Sequence, residues 1–266
     1  MIEEAILFFM QTIGGQPIGP QVYGWHQKSI GQAILMADER IFWAQIARHG
    51  SSERAQLFRG RLKSKDAIPG LRAPRVMQIM SEDNDAYSSC LMSFIASPTL
   101  SKTPQIYGIP PLSENFWERL KTQLKEITPA ESPYISCRQE LITRRIHERY
   151  GAHLPTKIHA WGSIHGDLHW GNITEDATLL DWESWGNGPV CLDAAFLYGY
   201  SVCVPTMTAI LEKTFPFLFQ ASDGLICLLF VCAELLRMIE IYGDHPEMDK
   251  PLEALALRVM TLLEIL

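Results

Sequence analysis

Apolar and polar positions alternate with a period of two over three short stretches early in the chain, "QVYGWHQ" (21–27), "GQAILMA" (31–37) and "RIFWAQIAR" (40–48). Such alternation turns every second side chain toward one face, so these stretches predict strands of a small antiparallel sheet, with Asp38 and Glu39 at the turn between the last two. Ahead of them, residues 2–11 predict a short helix that "GGQPIGP" interrupts. "SSERAQLFRGRLKS" (51–64) places polar starters before helix formers and predicts a helix packed on the sheet. The prolines of "PGLRAPRVMQIM" (69–80) favour extended chain; the polar turn "SEDND" (81–85) and the apolar run "YSSCLMSFI" (87–95) follow.

Beyond this point the repeat lengthens to that of helices, in "SENFWERLKTQLKEI" (113–127), "CRQELITRRIHERYGAH" (137–153) and "PLEALALRVMTLLEIL" (251–266). The change of period places a boundary in "ASPTLSKTP", near residues 95–105, dividing the chain into a mixed part, 1–95, and a mostly helical part, 96–266. Two such lobes leave a crevice, and ligand sites favour domain interfaces.

Composition narrows the possible partners. With 47% hydrophobic and 20% charged residues over 266 positions, the chain has the makeup of a folded protein. A formal net charge of -7 gives no general attraction to nucleic acid or an anionic membrane. The charge is uneven: residues 47–65 are basic, whereas 223–249 carry Asp223, Glu234, Glu240, Asp244, Glu247 and Asp249 against Arg237. Six scattered cysteines without a CxxC pair fit buried thiols in a reducing compartment. The N-terminus lacks a basic signal-peptide region and "LICLLFVC" (225–232) is too short to span a bilayer, so a cytoplasmic location is expected.

The chemistry concentrates in "HGDLHWGN" (165–172) and the "DWE" of 181–183. Asp167, Asn172 and Asp181 are spaced so that a loop and the strand after it can bring them together. One carboxylate can orient a hydroxyl and take its proton, while an amide oxygen and a second carboxylate are hard ligands suited to Mg2+. Two histidines four apart also raise a zinc site, but Gly166 and Gly171 argue against a shared helical face and the order is not that of a zinc hydrolase.

These two segments resemble the aminoglycoside phosphotransferase and choline kinase-like family, small-molecule kinases of the protein-kinase-like fold. The resemblance implies an α+β, two-lobed fold with a small antiparallel-sheet N-lobe that binds nucleotide and a mostly helical C-lobe. It also implies Asp167 as the catalytic base, Asn172 and Asp181 as ligands of Mg2+, and ATP or GTP as phosphate donor. His165 would brace the loop and His169 orient it or its neighbours. "GNGPVCLDAAFLYG" (186–199) is similar to the family's following segment, with Asp193 capping a helix or tying down the catalytic loop. "CLMSFIASPTL" resembles the strand and hinge that join the lobes, which would bring the nucleotide base near Met92 and Phe94.

The chain departs from the pattern on the nucleotide side. Gln45 stands where the family places a third-strand lysine, so its amide cannot supply the usual positive charge to the phosphates. Lys28, in the loop "WHQKSIG", is the candidate replacement; Arg48 points to the opposite strand face, and Glu53 or Gln56 would stand for the helix glutamate. Trp170 and Trp185 are candidates for exposure to the acceptor, with Trp182 packed beneath the strand, and the acidic residues of 223–249 could bind amines. The expected activity is transfer of a γ-phosphate to a hydroxyl of a small cationic molecule, an aminoglycoside-like antibiotic or an amino alcohol. The alternative is a catalytically weak nucleotide-binding or scaffold protein. Protein phosphorylation is disfavoured, because the stretch between Asp181 and Asp193 is too short for an extended activation segment.

Overall fold

The computed structural model describes residues 2–82 and 86–265 and divides into two compact units, Met1–Pro69 with Ala73–Ala96, and Gly70–Arg72 with Ser97–Leu266. Residues 83–85 of the expected polar turn lie outside the described residues.

The first unit contains α1 (Ile2–Thr12), β1 (Gln16–Tyr23), β2 (Ser29–Leu35), β3 (Ile41–Arg48), α2 (Ser52–Ser64), β4 (Val76–Glu82) and β5 (Tyr87–Ser93). Its five strands form one antiparallel sheet in the order β1-β2-β3-β5-β4. On one face Ile30, Ile34, Phe42, Ala44, Ile46 and Leu91 bury against Ile6, Phe9 and Met10 of α1. Alternation sends Gln45 and Cys90, which are register partners, to the other face. On that face α2 packs with Ala55, Phe58 and Leu62 buried, and its N-terminus is capped by Ser51 Oγ, which accepts from Arg54 N at 3.3 Å.

The stretch expected to break the chain at 14–20 is largely strand. β1 runs through Pro17 and Pro20, which is tolerated because β1 lies at the sheet edge and its register shifts between Ile18 and Val22 around Gly19, at φ +69°.

The second unit contains α3 (Glu114–Ile127), α4 (Gln139–Tyr150), β6 (Trp161–Ile164), β7 (Gly186–Pro189), α5 (Leu192–Gly199), α6 (Pro205–Thr214), α7 (Phe217–Gln220), α8 (Ser222–Tyr242) and α9 (Asp249–Ile265). α8 is its centre: Gly224–Ala233 are all buried, and α4, α5, α7 and α9 pack around it. The apolar run at 225–232 is therefore core, and among the described residues no helix is long and apolar enough to cross a membrane.

Charge pairs tie α4 to α8. Arg145 bonds Glu234, and Arg149 reaches Glu240 at 2.8 Å. Residues 70–72 join this unit through three bonds of Arg72: its N–H donates to Gln123 Oε1 (2.8 Å), its carbonyl accepts from Leu179 N (2.9 Å), and its guanidinium meets Asp176 (2.6 Å).

Candidate active site

β6 and β7 form a two-stranded antiparallel hairpin, and the long excursion between them carries "HGDLHWGN" and Asp181. Immediately after β6 the backbone must turn under crowded conditions. Gly166 adopts φ +85°, and a Cβ there would approach Ser136 Oγ to 2.1 Å and the Ser184 carbonyl oxygen to 2.4 Å, so only glycine fits. Gly171 has no such φ; its need is space, since a Cβ would lie 3.1 Å from the Thr103 carbonyl oxygen.

Three sets of bonds fix the loop. The carboxylate of Asp193, 3% exposed in the first turn of α5, accepts the backbone N–H of His165 at 2.7 Å and of Gly166 at 2.9 Å. His165, fully buried, donates from Nε2 to the Leu180 carbonyl at 2.7 Å and accepts the Asp167 N–H on Nδ1 at 3.3 Å. Asn172 Nδ2 donates to the Asp167 carbonyl at 3.0 Å, and the Asn172 carbonyl accepts from Leu180 N at 2.8 Å. Leu180, the residue before Asp181, is thereby laced to the chain on either side of Asp167. Asp181 itself takes a left-handed conformation, φ 56° and ψ 71°, which aspartate tolerates better than most residues.

The electrostatics follow from this packing. Burial pushes the Asp167 carboxyl up to about 6. Asp181 is open to solvent on one side, but the dense protein around it, and then the negative charge of Asp167, push its carboxyl up to about 7. Burial also raises Asp193 to about 6 and lowers His165 and His169 to about 4, so both histidines are neutral near pH 7.

The carboxylate of Asp181 and the Oδ1 of Asn172, whose Nδ2 alone is engaged, are hard oxygen donors of the kind that fits Mg2+. Among the described residues no cluster of three or more His, Cys, Asp or Glu is placed to hold a metal by itself, so this set needs oxygens from phosphate or water to complete a six-coordinate shell. A zinc site is not built here, because both ring nitrogens of His165 are engaged.

On the donor side, within the first unit, Gln45 lies mid-strand opposite Gly31 and Cys90 and is half-buried. Lys28 is exposed in the loop between β1 and β2, its ammonium 4.0 Å from the centre of the Trp25 ring. Met92 is buried at the end of β5 and Phe94, just beyond, is 37% exposed. Glu53 and Gln56 both point to solvent, so Gln56 does not occupy the place of a sheet-facing glutamate. α2 instead sends Arg59 to Ser88 Oγ at 3.2 Å.

Lys65 is 1% exposed and donates to Asp66 Oδ1 at 2.5 Å and to the Pro74 carbonyl. Its place at the end of a basic run resembles that of any solvated lysine, and only the fold buries it.

Two expectations for the acceptor side are corrected. Trp170 and Trp185 are as buried as Trp182, at 0%, 1% and 1% exposure, so none offers a free aromatic face. Trp170 Nε1 donates to Ser201 Oγ at 2.9 Å, and Trp182 Nε1 to the Leu179 carbonyl at 2.9 Å. The acidic run is also partly spent, since Glu234 and Glu240 bind the arginines of α4.

Two tyrosines are placed differently. Tyr200 lies within electrostatic reach of both Asp167 and Asp244, and its ring centre is 5.8 Å from that of His169. Tyr107 OH lies 3.2 Å from His245 Nδ1 and 3.4 Å from Glu247 Oε1. The strip that leads to Tyr107 runs along the loop, with the Pro104 carbonyl accepting from Trp170 N and Ile106 N donating to the Tyr200 carbonyl, each at 3.2 Å.

Residues 99–214 match the Phosphotransferase enzyme family, a span that includes Asp167, Asn172, Asp181 and Asp193. No curated protein matches the chain. Similar solved structures include an amicoumacin kinase in complex with AMP-PNP and Ca2+ (11% identity, 100% of this chain and 96% of that one, TM-score 0.55). A macrolide 2'-phosphotransferase from Brachybacterium faecium is similar at 12% identity, over 94% of this chain and 98% of that one, with TM-score 0.58. A third neighbour is APH(2")-IIia in its GDP and kanamycin complex, at 12% identity over 94% and 96% of the two chains, TM-score 0.58. At these identities the neighbours establish the fold. Residues 99–214 thus match the phosphotransferase enzyme family, and the chain as a whole has the two-lobed, protein-kinase-like fold of these similar structures.

Proposed function

We propose that this chain is a Mg2+-dependent kinase of small molecules, moving the γ-phosphoryl group of ATP or GTP to a hydroxyl of a cationic acceptor such as an aminoglycoside-like antibiotic or an amino alcohol. The observation that carries the proposal is the mutual lacing of Asp167, Asn172 and Asp181, which keeps two carboxylates within electrostatic reach of each other. A structure that only needed the fold would gain nothing from that repulsion.

In this reading Asp167 orients the acceptor hydroxyl and takes its proton, a role suited to a carboxyl raised to about 6. Asn172 Oδ1 and Asp181 hold Mg2+, which when bound neutralises the phosphate oxygens. Residues 1–95 form the nucleotide-binding lobe, with Lys28 and Gln45 toward the phosphates and Met92 and Phe94 toward the base; residues 96–266 supply catalysis and the acceptor site. Asp244 and Glu247, near Tyr200 and Tyr107, are the carboxylates proposed to meet an acceptor amine. Both adenine and guanine nucleotides occur in complexes of the similar folds, which supports leaving both as donors. The cytoplasm suits six free cysteines.

Gln45 favours a second reading, a nucleotide-binding scaffold with weak or no turnover. The test is phosphoryl transfer from ATP and GTP to a panel of amino alcohols and basic antibiotics. Asp167→Asn should lower kcat by about 10²- to 10⁴-fold while nucleotide still binds. Nucleotide binding with no acceptor-dependent turnover across the panel would favour the scaffold.

A further inference from the structure

Behind the catalytic loop the second unit carries a half-open pocket of about 270 Å3 that the proposed reaction does not use. Leu124, Ile164, Val190 and Phe215 line it with Asp193 and with Phe217, 37% exposed; the hydroxyls of Thr128, Ser163 and Thr214, which line it too, donate to the carbonyls of Leu124, Ala130 and Ile210. Two lysines of α3, Lys121 and Lys125, line it as well.

The two lysines differ. Lys121 is paired with Glu118 at 2.6 Å, one turn back along the helix. Lys125 is exposed and has no ion-pair partner among the described residues. Asp193 has already committed its two oxygens to the N–H groups of His165 and Gly166. A ligand head carrying negative charge is therefore repelled by Asp193 and attracted to Lys125, while Leu124, Ile164, Val190 and Phe215 offer contact to an apolar body.

From this arrangement we infer that the cavity binds an amphipathic anion, a medium-chain or aryl-alkyl carboxylate, with its tail among Leu124, Ile164, Val190 and Phe215 and its carboxylate on Lys125. The volume lies just under the range of about 300–1,000 Å3 usual for ligand pockets, which sets the size at a short chain rather than a full lipid tail. The site is separate from Asp167 and Asp181, yet it shares a wall with the carboxylate that holds the catalytic loop. Occupancy therefore bears directly on the His165 and Gly166 amides.

The probe is octanoate, titrated into the full chain while the backbone amides are followed by NMR. Saturable binding should shift the His165 and Gly166 amides. Affinity should rise roughly fourfold per methylene from hexanoate to octanoate, the fold-change that about 0.8 kcal/mol per buried CH2 gives, and level off once the cavity is full. Lys125→Glu, a change on an exposed position, should weaken octanoate at least tenfold and leave 1-octanol unaffected, and Leu124→Trp should block both. If Leu124→Trp does not fold, Phe217→Ala, which opens the mouth, should weaken octanoate in its place. No saturable binding, equal binding of octanoate to the parent and Lys125→Glu, or shifts that spare His165 and Gly166 would overturn the assignment.

Discussion

The imidazole of His165 donates from Nε2 to the carbonyl oxygen of Leu180, 2.7 Å away, joining the start of the catalytic loop to the residue just before Asp181. The bond requires the Nε2–H tautomer, and the other nitrogen then accepts the Asp167 N–H, so a neutral ring satisfies both neighbours. Proton by proton, one side chain keeps the two acidic residues in register.

That pairing gives His165 a defined pH signature. Burial lowers its pKa from the ordinary 6.5 to about 4, so its contribution to stability is complete above the unfolded value and is lost as pH falls through the folded one. His165→Phe removes this slope and leaves the Leu180 carbonyl and Asp167 N–H without partners. We expect a loss of roughly 1–3 kcal/mol per orphaned group at pH 7, shrinking toward pH 4, measured by urea unfolding at several pH values. An unchanged pH slope in the variant would contradict the assignment.

Asp193 touches the proposed reaction only through the His165 and Gly166 amides that it holds. Asp193→Asn retains one acceptor oxygen but turns an NH2 toward the second backbone N–H, so the His165–Gly166 turn loses half its anchor. The expected result is a fall in kcat with little change in the KM for nucleotide, together with a stability loss of roughly 1–3 kcal/mol. A kcat equal to the parent's, in a variant destabilised by that amount, would assign Asp193 to folding alone.

On the donor side the missing charge can be supplied and the candidate replacement removed. Gln45→Lys restores a cation at a half-buried strand position on the α2 face and should tighten nucleotide binding, whereas Lys28→Ala should weaken it. Nucleotide titrations of both variants test the pair. Tightening by Gln45→Lys with no effect of Lys28→Ala would remove Lys28 from the phosphate side.

The parts of this site that could be read directly are those whose chemistry is contiguous. Between His165 and Asn172 a glycine confined to φ +85°, an acid and an amide lie within eight positions, and local backbone demands alone nearly dictate their use. The strands β2 and β3 were equally plain because apolar and polar positions alternate along them, and β5 because its run from Ser88 to Met92 is buried throughout. What escaped depends on distant chain. Trp170 and Trp185 look like free aromatic faces until the fold buries them, Trp170 against Ser201 and Trp117, and Glu234 and Glu240 look available until α4 brings Arg145 and Arg149 across. Pro17 and Pro20 suggested a break because edge position, which excuses a proline, is a property of the sheet and not of the stretch.

The account stands most directly on Asp181. Calorimetric titration of ATP and GTP, with and without Mg2+, should show nucleotide binding that depends on the metal and is lost in Asp181→Asn. Because the Asp181 carboxyl lies near 7 without metal, protons compete with Mg2+ below that point, and binding by the parent should weaken as pH falls from 8 to 6. Metal-dependent binding that survives in Asp181→Asn, or no binding of either nucleotide by the parent, would contradict the account.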